Sequence, residues 1–357
     1  MIFLKEANNI INMLDYIIID LDDTITRDHS SEDYKDKELN PLVAKAISNA
    51  KKAGFKSKIF SSRNMRTYEG DVNKIEKFTR PIAEEWLLKN NIEYDELILG
   101  KPWAGKNGVY VDDKNIHIEE FIFRFCGPFY NKKCTLVTSL FNEEGNVMKM
   151  HSENKKAERL LDISEYIYVN NGSVDKTQLF LDKIKENDEK VRVISLKTNL
   201  GYGKGFKEGI KNANCDLIIT NHADMQFNLY QFVLTNYEEI MNHPTIESIL
   251  PKRLNRGFID SINSMILRTI LSILTLKRVY DFNGQPKFFL KELIKKEHSL
   301  PDDYCLDLAL YNLLRKNALI LPILQKQRTS ESSSWSQSLS KRITIFLRYI
   351  LYSIAGK

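Results

Sequence analysis

The stretch YIIIDLDDTIT, residues 16–26, runs a short apolar β-branched segment into Asp20 and Asp22. Such a run, bounded by a polar turn, reads as a strand. Working outward, KSKIF (56–60), ELILG (96–100) and GVYVDD (108–113) repeat the pattern, while PLVAKAISNAKKAG (41–54) and DVNKIEKFTRPIAEEWLLKNN (71–91) have helical spacing. Strand and helix alternate, which predicts α/β structure with a mainly parallel sheet. After CGPFYNKK (126–133) the alternation restarts. CTLVTSL (134–140), EYIYVNN (165–171), VRVISLK (191–197) and CDLIITNHAD (215–224) read as strands, separated by helical segments at 143–160, 175–187 and 203–212. The fold class expected is therefore α/β, with two Rossmann-like domains in series over 1–130 and 131–330. Open sheets of this kind place ligands at strand C-terminal ends, so two separate sites are expected.

A chain of 357 residues is too long for one ordinary core. Its 43% hydrophobic and 28% charged content, with 15 Gly and 9 Pro, excludes collagen-like, coiled-coil and largely disordered classes. Cys126, Cys134, Cys215 and Cys305 show no CxxC spacing, which argues against a zinc ribbon or disulfide framework and for a reducing compartment. No run reaches the roughly 18 to 20 apolar residues of a membrane span, and MIFLKEANNI lacks a signal-peptide core, so a chain neither secreted nor integral is expected. Charge is uneven: 19 Lys/Arg against 22 Asp/Glu up to residue 130, then 33 against 25. The positive field of the second part suits anionic lipid or anionic small substrates. No zinc finger, recognition helix or RNA-binding aromatic motif is evident, so no nucleic-acid partner is expected. Segments 257–277 and 338–357 are apolar, helical in period and punctuated by basic residues, with the polar RTSESSSWSQS (328–338) preceding the second. Residues 331–357 are read as an amphipathic membrane-associating helix, with a homo-oligomer interface or packing against 258–276 as alternatives.

Carboxylates two residues apart at a strand end can converge on one metal and one phosphate. An Asp-rich turn is also an ordinary loop or cap, but hydroxyl, ammonium and carboxylate then recur in order at strand ends: Ser61, Lys101, then Asp112 and Asp113. That order resembles the haloacid dehalogenase superfamily of phosphohydrolases, over roughly residues 14–125. SSRNMRTYEGDVNKI, RPIAEEWLLKNNIEYDELILGKPW and GVYVDD are similar to small phosphatases encoded with capsular polysaccharide genes. The resemblance implies that Asp20 attacks phosphorus, that Asp22 moves the proton, and that Ser61 and Lys101 hold phosphoryl oxygens. It also implies that Asp112, with Asp20 and Asp22, holds Mg2+. Lys106 is the alternative to Lys101, and Asp113 a further member. Arg63 and Arg66 are either solvated loop residues or contacts for a second anionic group.

In the second part, TLVTSLFNEEGNV (135–147) delivers Asn142 and Glu143 to a helix start, and YIYVNNGSVDKT (166–177) delivers Asn170 and Asn171 to another. NLGYGKGFKEGI (199–210) is a Gly-rich turn into a helix, and LIITNHADMQF (217–227) ends a strand in His222, Asp224 and Gln226. Each signal alone is weak. Together they resemble family 2 glycosyltransferases of the GT-A fold, most closely the dolichol-phosphate mannosyltransferase and polyprenyl-phosphate sugar transferase branch, over about 132–330. The resemblance implies a nucleotide-sugar site at Asn142, Glu143, Asn170, Asn171, Gly203 and Lys204. It implies a Mn2+ or Mg2+ site at Asp224 with His222 and Gln226, and acceptor or diphosphate contacts at Arg253, Arg256 and Arg328. Asp281, Gln285 and Asp303 are weaker candidates. Two departures stand out: the usual Asp-Asp pair is Asn170-Asn171, and the first Asp of the metal motif is His222, whose imidazole suits Mn2+ better than Mg2+.

The joint expectation is a bifunctional enzyme of surface-polysaccharide type. A phosphatase acting on a sugar-phosphate is fused to a transferase that uses a nucleotide-sugar donor and a lipid-phosphate or glycan acceptor, cytoplasmic and peripheral on the inner face of the membrane. The alternatives are that one domain is a regulatory or binding module, or that the acceptor is soluble.

Overall fold

A computed structural model describes residues 15–27, 31, 33–105, 110, 114–255, 258–276, 278–295, 300–326 and 339–355. Lys106, Asp112, Asp113, Arg256 and Arg328 lie outside them, as does most of the GVYVDD run expected as a strand. The chain divides into two compact units, Met1–Gly127 and Pro128–Lys357. The cut falls ahead of residue 130, and the C-terminal helix falls within the second unit rather than apart from it.

In the first unit β1 (Tyr16–Asp20), β2 (Lys56–Ser61) and β3 (Glu96–Leu99) form a parallel sheet in that order. α1 (Pro41–Lys52) joins β1 to β2; α2 (Val72–Phe78) and α3 (Arg80–Lys89) join β2 to β3; α4 (Ile118–Cys126) follows. α1 starts where it does because Asn40 accepts from the Val43 N–H and Pro41 occupies the first turn. Its buried stripe of Val43, Ala46, Ile47 and Ala50 recurs at helical spacing, and it packs on α4. The parallel register sends all three strands the same way, so Asp20, Ser61 and the residues after Leu99 emerge at one edge.

The second unit is built on a seven-stranded sheet in the order β10-β8-β9-β7-β4-β5-β6. Its first half runs β4 (Cys134–Leu140), α5 (Val147–Lys156), β5 (Ile163–Asn171), α6 (Thr177–Asn187), β6 (Val191–Leu196), α7 (Tyr202–Asn212) and β7 (Leu217–Thr220), all strands parallel. Then come α8 (Leu229–Thr235), α9 (Tyr237–Met241), β8 (Ser248–Leu254), α10 (Phe258–Thr275), β9 (Lys287–Leu290), α11 (Glu292–Lys295), α12 (Cys305–Leu314), β10 (Ala318–Leu324) and α13 (Leu339–Ala355). β9 is antiparallel to β7 and β8, and β10 parallel to β8.

The glycines of α7 explain how closely it lies on the sheet. A Cβ at Gly205 would come 2.1 Å from Ser139 Oγ, and one at Gly209 2.3 Å from Val137 Cγ1. The two are a helical turn apart and share one face. Gly209→Ala gains up to about 1 kcal/mol of helix propensity but overpacks a buried contact at a cost of about 1–3 kcal/mol. Net destabilisation of up to about 2 kcal/mol in a denaturant titration is expected on that balance; a raised midpoint would mean α7 can lift off freely.

α10 and α13 pack together, and Leu267, Leu271 and Tyr349 join the core of this unit. The Tyr349 ring meets Phe282 edge-on at 5.0 Å. Among the described residues no helix is long and apolar enough to cross a membrane.

Candidate functional site

At the strand edge of the first unit, Lys101 Nζ donates to Asp20 Oδ2 at 2.6 Å, and the Lys101 N–H donates to the Ser61 carbonyl at 3.1 Å. Ser61 Oγ donates to Asp22 Oδ2 at 3.3 Å. The four residues singled out from sequence thus meet. Burial pushes the Asp20 carboxyl above its ordinary value, against the pull of Lys101 and with a further push from Asp22. Asp20 Oδ1 is buried and has no hydrogen-bond partner among the described residues. A buried carboxylate oxygen left open is what a hard cation would take, so Asp20 fits Mg2+.

Asp22 does not fit so well as a metal ligand through its side chain. Arg63 Nε donates to its Oδ1 at 2.9 Å and to its Oδ2 at 3.1 Å, so both oxygens are engaged. Arg63, read from sequence as a loop residue open to solvent or to a second anion, is only 2% exposed and stacks on Tyr34 at 4.5 Å. Arg66 is exposed and lies 5.9 Å from the Trp103 ring. A single Arg after a strand gives no sequence signal that separates these two fates.

In the second unit the turns after β4 and β5 are stitched together. Ser173 Oγ accepts from the Asn142 N–H at 3.0 Å, Thr177 Oγ1 from the Glu143 N–H at 2.9 Å, and Asn142 Oδ1 from the Val174 N–H at 2.9 Å. Asn170 and Asn171, expected in the nucleotide-sugar site, are 4% and 3% exposed and bonded within the protein. Asn171 Nδ2 donates to the Gly201 carbonyl at 2.9 Å and to Asn199 Oδ1 at 3.2 Å, while its Oδ1 accepts from the Leu200 N–H at 3.1 Å. Asn170 Nδ2 donates to Gln178 Oε1 at 2.6 Å, and its Oδ1 accepts from the Ser173 N–H at 2.9 Å. A carboxylate could not make the donating half of either set, which accounts for two amides where aspartates were expected.

Gly203 and Lys204 also differ from expectation. A Cβ at Gly203 would come 2.4 Å from the Asp303 carbonyl oxygen, and the Lys204 N–H donates to the Asp302 carbonyl at 2.8 Å. Lys204 Nζ pairs with Glu208 at 3.0 Å. The Gly-rich turn is therefore closed by the chain at 301–303 and does not present a bare helix start to phosphate. Arg253 is likewise committed: its Nε and Nη2 bond Asp281 at 2.7 and 2.8 Å, and both side chains are nearly buried.

Asp224 ends the β7 turn at 5% exposure, its Oδ1 accepting from the Gln226 N–H at 3.2 Å. Gln226 Nε2 reaches the Lys326 carbonyl at 3.5 Å, and Lys326 N–H donates to the Gln226 carbonyl at 3.0 Å. His222 Nε2 lies 2.9 Å from the Tyr202 hydroxyl, which donates to Asp307 Oδ2 at 2.8 Å. Asp307 Oδ1 accepts from Lys287 Nζ at 2.6 Å. Burial pushes Lys287 below its ordinary pKa, opposed by Asp307, and burial next to Asp307 holds the Tyr202 phenol well above its own. Sequence reading missed Tyr202, Lys287 and Asp307. The available signal was a lone charge inside an apolar run, Lys287 in KFFL and Asp307 in CLDLALY, which marks a buried pair.

Among the described residues no three His, Cys, Asp or Glu gather as a ready cation cage. His222 and Asp224 are a two-residue set, which fits Mg2+ or Mn2+ held jointly with substrate phosphates.

Residues 135–246, which contain Asn142, Asn170, Asn171, His222 and Asp224, match the family model described as Glycosyl transferase family 2. A search of curated proteins found no match. Among solved structures, the chain is similar to a Vibrio cholerae protein crystallised as an MCSG target, at 40% identity over 30% of this chain and 88% of that one, with a TM-score of 0.30. It is also similar to glucosyl-3-phosphoglycerate synthase from Mycobacterium tuberculosis. The complex of that enzyme with Mn2+, UDP-glucose and phosphoglyceric acid aligns at 14% identity over 64% of this chain and 80% of that one, TM-score 0.48. Its UDP complex aligns at 15% over 64% and 81%, TM-score 0.47.

Proposed function

We infer the activity of a chain that belongs to glycosyltransferase family 2 over residues 135–246 and, over 30% of its length, shares a family with the Vibrio cholerae protein, whose name states no activity. It is an enzyme that transfers a sugar from a nucleotide-sugar donor. The finer reading is transfer to a lipid-phosphate or glycan acceptor in surface-polysaccharide synthesis. The observation that carries the donor site is the convergence, at the ends of parallel β4, β5 and β7, of the Asn142–Glu143 turn, the Ser173–Thr177 turn and Asp224. A divalent cation at such a site neutralises the departing diphosphate. Asp224, with His222, would hold it. Thermal-shift measurements with a panel of nucleotide sugars and Mn2+ test this: stabilisation that survives Asp20→Asn and vanishes in Asp224→Ala is expected. A panel that stabilises neither protein would count against the donor site.

A second activity in the first unit is favoured by the meeting of Asp20, Asp22, Ser61 and Lys101 around one open carboxylate oxygen. The reading is hydrolysis of a sugar-phosphate. Asp20 attacks phosphorus as the P–O bond to the sugar breaks, giving an aspartyl-phosphate that water then hydrolyses to phosphate and free Asp20; Lys101 and Ser61 hold phosphoryl oxygens, and Asp22, oriented by Arg63, gives a proton to the departing sugar oxygen and takes one from the attacking water. Mg2+ bound at Asp20 would offset charge on the phosphoryl group.

The membrane part of the reading is a peripheral location on the inner face. It is supported by the outward stripe of α13, Ile343, Leu347, Leu351 and Ile354, each more than half exposed, beside exposed Met265, Ile266 and Ile273 of α10. A groove of about 560 Å³ adjoins α13, lined by Leu200, Pro301, Leu351 and Tyr352 together with Asp302, Asp303 and Arg348, the last paired with Asp303. Deleting α13 is a poor test because Tyr349 is core. The combined Leu347→Glu and Leu351→Glu substitution keeps that core and is expected to reduce flotation with anionic liposomes at least about tenfold. Unchanged flotation would exclude this face as the anchor.

A further inference from the structure

Asp22 uses only part of Arg63. The Arg63 Nε alone reaches both carboxylate oxygens, at 2.9 and 3.1 Å. Nη1 and Nη2 are buried and have no hydrogen-bond partner among the described residues. A guanidinium carries five N–H donors in one plane, so the four on these two nitrogens stand without an acceptor. A buried donor left in that state costs free energy, and native structures nearly always supply a partner.

The turn around Arg63 fixes the side chain in place. The Arg63 N–H donates to Ser61 Oγ at 3.1 Å. Asn64, next in the chain, has a left-handed backbone with φ of 59° and donates through Nδ2 to Thr79 Oγ1 at 2.8 Å; a residue other than glycine held there marks a constrained turn. The Tyr34 ring lies 4.5 Å from the guanidinium carbon. Such stacking covers the face of a guanidinium and leaves its in-plane donors to other groups. What remains is the end-on fork of Nη1 and Nη2, which matches two oxygens of a carboxylate or phosphate. Lys101 serves Asp20, the attacking residue of the proposed hydrolysis, whereas Arg63 serves Asp22, which meets the leaving oxygen. A group taken by the fork therefore belongs to the sugar half of the ester.

We propose that Nη1 and Nη2 of Arg63 form a subsite for a second anionic group on the leaving sugar, so that the first unit prefers sugar-phosphates bearing a carboxylate or a further phosphate over those with an uncharged sugar. The proposal rests on the phosphatase reading. Tyr34, half-buried between exposed Asp33 and Lys35, is the side chain an entering anion displaces from the guanidinium. Arg66, in the same turn, is exposed and makes no ion pair among the described residues, and it adds positive potential that favours anionic substrates.

The test uses the full chain with Mg2+ and measures phosphate release. Failure to hydrolyse 4-nitrophenyl phosphate overturns the phosphatase reading, and the subsite with it. Matched esters then isolate the subsite: glucuronic acid 1-phosphate and glucose 1,6-bisphosphate, each against glucose 1-phosphate, and 3-phosphoglycerate against glycerol 3-phosphate. At least one charged member is expected to exceed its partner about tenfold or more in kcat/KM, mainly through KM, as one charge-assisted contact supplies. The two glucose comparisons separate a carboxylate from a phosphate as the anion. Arg63→Lys keeps a cation beside Asp22 and loses the fork. Any loss through a misplaced Asp22 falls on both members of a pair alike, so the ratio within each pair is the readout. That ratio is expected to shrink to about twofold or less in Arg63→Lys. Equal kcat/KM within every pair for the unsubstituted protein, or a preference that survives in Arg63→Lys, overturns the subsite and leaves the phosphatase reading standing.

Discussion

Asp20→Asn is expected to cut phosphate release from small phosphate esters by about 10⁴-fold or more while sugar transfer continues at the rate of the unsubstituted protein. On the proposed mechanism the carboxylate is both the attacking group and the open oxygen that would hold Mg2+, and the amide can do neither. The substitution is close to isosteric, so Lys101, 2.6 Å from Asp20 Oδ2, keeps an oxygen to bond. It also removes a carboxylate that burial already disfavours in its charged form, so the folded first unit should not be the casualty. Ester hydrolysis with Mg2+ and sugar transfer are measured on the same preparation. Hydrolysis at the unsubstituted rate would mean the β1 edge is not the reacting site. Equal loss of both activities would mean that the two units do not act independently.

The strand ends were legible because apolar runs and turn residues are local properties. Asp20, Ser61 and Lys101 needed only parallel strands in order to meet. What the side chains do at those ends was less legible, since it depends on partners distant in sequence. Asn171 is bonded to a loop some 30 residues on, Arg253 to Asp281 and Lys287 to Asp307. Motif reading assigned Asn171 and Arg253 to ligands; the fold has spent them on itself. The Gly-rich turn shows the same limit. Its glycines suggested room for phosphate, yet Gly203 makes room for the carbonyls of 301–303 and Gly205 and Gly209 for β4. Close backbone approach and phosphate binding both select glycine, and spacing alone does not distinguish them. Arg63 is the converse case. An arginine judged by its position in a loop proves to be a buried holder of Asp22 because the Tyr34 ring covers it.

Asp224→Ala should abolish sugar transfer, by about 10³-fold or more, and leave ester hydrolysis intact. A departing nucleoside diphosphate carries several negative charges that must be offset as the bond to the sugar breaks. Of the basic residues anticipated beside the donor, Arg253 is held by Asp281 and Lys204 by Glu208, while Arg256 and Arg328 lie outside the described residues. On the proposed reading a divalent cation offsets that charge, with Asp224 as its carboxylate ligand at the end of β7. Alanine also removes the bond from the Gln226 N–H to Asp224 Oδ1, so loss of activity alone would not separate metal binding from turn geometry. Asp224→Asn does, because its amide oxygen can still accept from Gln226 while the negative charge is gone. Near-equal loss in both proteins, with Mn2+ binding lost in both, assigns the effect to the cation. Activity restored in Asp224→Asn would assign it to the turn and would remove Asp224 from the chemistry of transfer.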